Sequence, residues 1–297
     1  MLSLDDFTPI TLESKSLFDT YYKTYPPAHS DYVFTTMISW NPYAHYEYAV
    51  VEQSIIIKTM VQGKIYLRPP IGKPNATVFE ELLSLAKRDE VGYQLSLVTD
   101  PWKTWIQQNY PKASFLAQPE YDDYIYLSSD LAELDGSAYR KIRNRLNKFT
   151  RQNVYETEVV TEENISDVKR FLQRWCIWRD CEEDPLLQYE KKAVMFSMDH
   201  FKELALSGIA IRVNDRIEAV AIYEQMNPDT TVVHFEKGSP YFDGIYKVIN
   251  KETAQYVQQY TRFINRESDM GNPGLRKAKQ SYNPHHMIHV FTLQLKS

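Results

Sequence analysis

The stretch FINRESDMGNPGLRKAKQSYNP, residues 263–284, sets acids and bases in a definite order. Asn265, Arg266, Glu267 and Asp269 come first. Arg276, Lys277 and Lys279 follow a Gly271-Asn272-Pro273-Gly274 turn. Asn272 is a good N-cap, Pro273 suits a first helical position, and Gly274 follows. The spacing predicts a helix with GLRKAKQS as its body. Its N-terminus would offer free backbone N–H groups and partial positive charge, a natural anion site. Arg276 and Lys279 are three apart and can point together. Glu267 and Asp269 can neutralise these bases, orient them, or hold an ammonium group. Both signs of charge in one small region suit a substrate that carries both, such as an aminoacyl group. The competing reading is a charged turn closed by internal salt bridges.

Two other stretches carry chemistry. In TVVHFEKG, strict alternation would point Val233, Phe235 and Lys237 one way and His234 and Glu236 the other. A carboxylate beside a cleft can take a proton from an attacking amine or hydroxyl. The plainer alternative leaves Glu236 exposed, or paired with Lys237 or Lys247. That alternative weakens if Glu236 meets the 263–284 segment in space. Between Arg140 and Arg151 there are six bases and no acid. Lys141, Arg145 and Lys148 would share one side of a helix, with Arg140, Asn144 and Arg151 on the other. Such a face could bind phosphates of tRNA, coenzyme A or anionic lipid. It could instead be a solvated face paired with the acids upstream, Glu120 to Asp135.

The elements that must position these residues follow from pattern. The chain has 297 residues, 43% of them hydrophobic and 25% charged, enough for two domains with real cores. The net charge of -5 supplies no global field for nucleic acid, so such binding needs a local patch. Residues 31–70 (YVFTTMISWN, YEYAVVEQ, SIIIKTMV, KIYLRPP) read as strands. Residues 75–89 read as a helix capped by Asn75, with Val78, Leu82, Leu85 and Ala86 as its stripe. YQLSLVT, a short helix after Asp100-Pro101, SFLAQ and YDDYIYLSS complete a first mixed unit. A helix at 137–152, the strand VYETEVV, a helix opened by TEEN and one at 186–206 ended by Gly208, then three strands, a helix at 244–259, the strand TRFIN, the helix after Asn272 and the strand MIHVFTLQL make a second. Beyond the end of TRFIN, at Asn265, is where ligands gather in open α/β sheets.

The second half reads β-α-α-β-β-β-α-β-α-β, the order of the acyl-CoA N-acyltransferase (GNAT) fold, and the first half is a looser echo. The expected class is therefore α/β with mixed sheets, as two tandem GNAT-like domains at 1–135 and 136–297. Cys176 and Cys181, five apart in an expected helix, would not share a face and read as reduced thiols. No signal peptide and no run of about 18 apolar residues is seen, so a cytoplasmic protein, peripheral if it meets a membrane, is expected. The HHMIH cluster at 285–289 lacks a nearby carboxylate or cysteine, and no metal is expected there.

The pattern Asn-Arg-Glu-x-Asp-x-Gly-x-x-Gly-Leu-Arg-x-x-Lys-x-Ser-Tyr-x-Pro, from Asn265 to Pro284, resembles the signature of the phosphatidylglycerol lysyltransferase C-terminal domain family. The basic helix, with Lys141, Arg143, Asn144, Lys148 and Phe149, and HFEKG with Glu236 resemble it too. The likeness runs from about residue 20 to the end. It implies two GNAT-type domains in tandem, as in the related peptidoglycan aminoacyltransferases. It also implies transfer of an aminoacyl group from aminoacyl-tRNA to a lipid headgroup or another hydroxyl or amine acceptor. An aminoacyl ester is already activated, so no further cofactor is implied beyond aminoacyl-tRNA, or acyl-CoA, as co-substrate. Glu236 or Asp269 would bind the ammonium or act as base. Arg276, Lys279 and the helix N-terminus would stabilise negative charge, and Tyr282 would protonate the leaving oxygen. Asn265, Arg266, Glu267, Gly271 and Gly274 would shape the substrate site, and Lys141, Arg143, Asn144, Arg145 and Lys148 would track tRNA phosphates. Acetyl-CoA-type acylation is the first alternative, though the Arg/Gln-x-x-Gly-x-Gly/Ala loop typical of such enzymes is not found. A non-catalytic module for anionic lipid or nucleic acid is the second. It would depend on the basic helix alone.

Overall fold

The computed structural model describes residues 2–87 and 94–294. Along the chain the elements are β1 (Thr8–Pro9), α1 (Lys15–Tyr22), α2 (Phe34–Ser39), α3 (Asn41–Ala44), β2 (Glu47–Val51), β3 (Ser54–Val61), β4 (Lys64–Leu67), α4 (Ala76–Lys87), β5 (Gln94–Thr99), α5 (Asp100–Asn109) and β6 (Ser114–Ala117). There follow β7 (Asp123–Leu127), α6 (Ser128–Glu133), α7 (Arg140–Gln152), β8 (Tyr155–Val159), α8 (Ile165–Trp178), α9 (Pro185–Asp199), β9 (Ser207–Val213), β10 (Arg216–Asn227) and β11 (Thr230–Gly238). The chain closes with α10 (Ile245–Val257), β12 (Phe263–Asn265), α11 (Pro273–Gln280), β13 (His286–Ile288) and β14 (Val290–Gln294).

Two compact units result. One holds Met1–Asp123, Ser268–Asn272 and Ile288–Ser297, and the other Tyr124–Glu267 and Pro273–Met287. The first is built on a sheet of order β1-β2-β3-β4-β5-β14-β6, the second on β13-β7-β12-β11-β10-β9-β8. Each sheet contains an antiparallel run and one parallel pair, β4 with β5 and β11 with β12. The segments between these paired strands carry α4 and α10. Beyond each parallel pair lies an antiparallel strand from a distant part of the chain, β14 or β7. The echo between halves is thus one of topology, and the class is α/β with two GNAT-like sheets.

In the first unit Asn75 caps α4 through Thr77 N–H, 2.8 Å away. Val78, Leu82, Leu85 and Ala86 enter its core, as their spacing predicts. Residues 88, 89 and 93 of the expected helix and strand lie outside the described residues. YVFTTMISWN, expected as a strand, is helical instead. Phe34, Thr35, Met37, Ile38 and Ser39 of α2 are all buried. A helix buried nearly all round shows no polar face, and its β-branched and aromatic residues mimic a strand. The helix expected to 206 ends at Asp199. Gly208 lies within β9, where a Cβ would meet Val160 Cγ2 at 2.8 Å.

The two cysteines correct the expectation of free thiols: Cys176 and Cys181 form a disulfide. Helix α8 ends at Trp178, and Asp180 takes a positive φ of 49°. The chain therefore doubles back, and the two Cα atoms stand 5.2 Å apart. Helical spacing stops applying once the helix stops. Among the described residues no helix is long and apolar enough to cross a membrane.

Candidate functional site

The site in the second unit starts from a short parallel pairing. β12 pairs with β11 over Thr230–Phe263, Thr231–Ile264 and Val232–Asn265 only. β11 continues to Gly238 paired with β10, and Arg266 is the first residue past β12. Its guanidinium reaches Glu236, with Nη2 donating to Oε1 at 2.9 Å. Asn250 Nδ2 on α10 donates to the other carboxylate oxygen at 3.1 Å. Glu236 is thus held by two donors and meets the 263–284 segment in space. It pairs with neither Lys237 nor Lys247. Lys237 turns the opposite way, onto Glu190 at 2.7 Å and over the Trp175 ring.

Strict alternation along β11 fails at His234. Ile222 pairs with Phe235 and Tyr223 with Val233, which leaves His234 as the extra residue of a β-bulge. Val233 joins the core with Ile245 and Val248, and so lies on the α10 side together with Glu236. The bulge turns the buried His234 between two carboxylates. Its Nε2 lies 2.8 Å from Glu224 Oε1 and its Nδ1 3.0 Å from Glu267 Oε1. Burial alone would lower its pKa, but the two hydrogen bonds outweigh it and lift it to about 9. A histidine whose folded pKa is raised stabilises fully below its ordinary 6.5 and loses that stabilisation as pH rises through about 9. Comparing urea midpoints of the wild type and His234→Gln from pH 6 to 10 should show a gap on the order of 3 kcal/mol that closes across this window. A gap independent of pH would show that His234 is not a charged bridge.

Around Glu236 and Arg266 lie aromatic rings and two further cations. Tyr282 is buried, and the Arg266 guanidinium lies 4.9 Å from its ring centre. Lys247 Nζ, on α10, lies 4.5 Å from the same centre. Burial pushes the Tyr282 phenol well above its ordinary pKa, so it stays a neutral phenol at neutral pH. Burial, then the nearby Arg266 charge, pull Lys247 down to about 8, with Glu236 opposing and Arg145 adding to the depression. Tyr126 donates to the Lys279 carbonyl at 2.8 Å and Tyr139 to the Tyr282 carbonyl at 3.0 Å, pinning the end of α11.

The other expected site residues divide. The α11 helix does start at Pro273. Lys279 spends its ammonium on the backbone carbonyls of Arg266 and Glu267, so it fastens α11 to the end of β12 rather than facing Glu236. Asn265 is fully buried, and its Oδ1 accepts from Glu267 N–H at 2.7 Å, fixing the chain where it leaves the sheet. Arg276 is half-buried on α11 and Gly274 exposed in its first turn. Asp269 and Gly271 belong to the first unit. There the fully buried Asp269 accepts from Gly271 N–H at 2.9 Å, and Gly271 turns with a φ of 74°.

Ile142 and Phe149 of α7 are buried, as is Tyr139 just before it. Arg143 donates to the carbonyls of Leu134 and Gly136 and so braces the preceding turn. Lys148 pairs with Asp243 at 2.9 Å. Lys141, Asn144 and Arg145 point outward with Arg140 and Arg151. Among the described residues none of these four bases forms an ion pair with Asp130, Glu133 or Asp135. Gly244 sets α7 against the start of α10. Its φ is 99°, and a Cβ there would lie 2.6 Å from the Arg145 carbonyl oxygen. Gly244→Ala should therefore cost more than the roughly 1–2 kcal/mol of a left-handed residue alone, read as a drop in urea midpoint. A change under about 0.5 kcal/mol would mean that this contact yields freely.

Sequence reasoning missed Lys247, Asn250, Tyr126 and the Glu224–His234–Glu267 bridge. One signal was present: Lys247 is a base in the first turn of a helix, where acids are preferred.

The model of the family described as phosphatidylglycerol lysyltransferase, C-terminal, matches residues 22–294. A crystal structure of a conserved protein of unknown function from Bacteroides thetaiotaomicron superposes with a TM-score of 0.90 at 28% identity, covering 98% of this chain and 99% of that one. The structure of L-PGS from Bacillus licheniformis gives 0.65 at 12% identity, covering 95% and 92%. FemX gives 0.59 at 11%, covering 96% of each. The fold is the tandem GNAT-like one, and family and fold together support a transferase of the aminoacyl or acyl kind.

Proposed function

This chain belongs to the phosphatidylglycerol lysyltransferase C-terminal family, and from that premise we propose that it moves an aminoacyl group from aminoacyl-tRNA to a hydroxyl or amine acceptor, a lipid headgroup being the first candidate. The observation that carries this reading is the Glu236–Arg266 pair. It unites the HFEKG strand with the signature segment, beside a buried tyrosine that keeps its proton. The acceptor O–H or N–H attacks the ester carbonyl and its proton passes to the Glu236 carboxylate. Arg266 lies where it can stabilise the tetrahedral oxyanion. The bond from the carbonyl carbon to the tRNA 3′-oxygen then breaks, and that oxygen takes a proton from Tyr282. Tyr282 is recharged by the proton on Glu236, which restores both groups.

Glu267 is engaged by His234 and Lys279 by backbone carbonyls. Both act by positioning the segment, while Arg276 remains the α11 base assigned to negative charge. The test is incubation with pools of charged tRNA, labelled in the amino acid, together with phosphatidylglycerol vesicles or soluble amines. A labelled aminoacyl lipid or amide is expected. Label that leaves tRNA only as free amino acid, at the rate without protein, would overturn the reading.

A further inference from the structure

Lys247 is placed against nearly every electrostatic preference. It lies in the first turn of the thirteen-residue α10, at the positive end of the helix dipole. Its ammonium is half-buried over Tyr282, with Arg266 and Arg145 as the nearby cations. Among the described residues it has no ion-pair partner, and Glu236, the carboxylate that acts on it, is already taken by Arg266 and Asn250. Arg266 in turn keeps Nη1 buried with no hydrogen-bond partner. Lys247 and Arg266 thus meet over one ring beside a satisfied carboxylate, with the exposed Arg145 nearby. A protein stabilised for its own sake would place a neutral side chain at 247. The convergence is also built: Gly244 lets the Arg145 backbone approach α10 more closely than any Cβ would permit.

We infer that Arg145, Lys247 and Arg266 form a subsite for a phosphate oxyanion above the Tyr282 ring, and that this phosphate belongs to the 3′-terminal backbone of an RNA. The inference rests on the aminoacyl-transfer reading and gives it a donor anchor. RNA is favoured over a single lipid headgroup because the positive charge continues from Arg145 along α7. Arg140, Lys141 and Arg151 are exposed there, and no ion pair engages them among the described residues. Several outward bases on one helix match a chain of phosphates and are redundant for one.

The test uses the whole protein and an uncharged RNA minihelix ending in CCA, read by fluorescence anisotropy at several salt concentrations. Phosphatidylglycerol vesicles, read by sedimentation, form the second arm. Lys247→Met should bind the minihelix about tenfold more weakly and lower its salt slope by about one. Its unliganded melting temperature should stay level or rise, because an unmatched charge has gone. Arg145→Met should weaken binding similarly. Unchanged RNA affinity and slope in Lys247→Met would overturn the subsite. So would a wild type that ignores the minihelix and sediments with the vesicles through Lys247. Binding that depends on Lys247 without transfer to any acceptor would keep the subsite and sink the transfer reading. Transfer with an unchanged KM for tRNA in Lys247→Met would do the reverse.

Discussion

Arg266→Met is expected to lower the unfolding free energy by about 3–5 kcal/mol, the usual cost of removing one partner from a buried ion pair. The loss would not come from the missing hydrogen bond alone. Glu236 would remain largely desolvated with only Asn250 as donor, and an uncompensated buried carboxylate is the expensive state. Arg266 also covers the rings of Tyr126 and Tyr282, at 5.7 and 4.9 Å, and methionine would replace only its packing. The double variant Arg266→Met with Glu236→Gln should recover much of the deficit, because it leaves no stranded charge. Urea midpoints at constant slope give all three values. If Arg266→Met falls within about 0.5 kcal/mol of the wild type, the pair is solvated in solution and the site is looser than described.

The second expectation concerns the chemistry. Glu236→Gln keeps the shape of the side chain and an acceptor for Arg266, but it cannot take a proton. If Glu236 is the base of the transfer, kcat should fall by about 10²–10⁴-fold while the KM for charged tRNA changes little. A drop in affinity for tRNA with kcat unchanged would make Glu236 a binding residue and move the base elsewhere. Arg276→Ala serves as the companion measurement. On the proposed role it should abolish transfer without unfolding the protein.

How much of this could be read from residues alone depends on the range of the interaction. The turn and helix at 271–280 were legible because Asn272, Pro273 and Gly274 act through their own backbone conformations. The cap of α4 was legible for the same reason. The β11-α10-β12 order allowed Glu236 to meet the 263–284 segment, but not which residue would meet it. YVFTTMISWN misled because its residues carry strand propensity, while burial on all sides of α2 removed the polar face that marks a helix. The disulfide was hidden because five-residue spacing argues against a bridge only while the helix continues, and it stops at Trp178.

By itself the sequence determined the family signature from Asn265 to Pro284, the mixed α/β class and the placing of bases on one helix. All are matters of local pattern, read within a few residues of each other. Only the tertiary structure decided that Arg266 pairs with Glu236, that Lys279 is bound to backbone, and that Lys247 stands unmatched beside both. Those outcomes turn on where β12 leaves β11 and on one extra residue at His234. A one-residue bulge reverses which face a strand presents, and no composition or period along the chain records it.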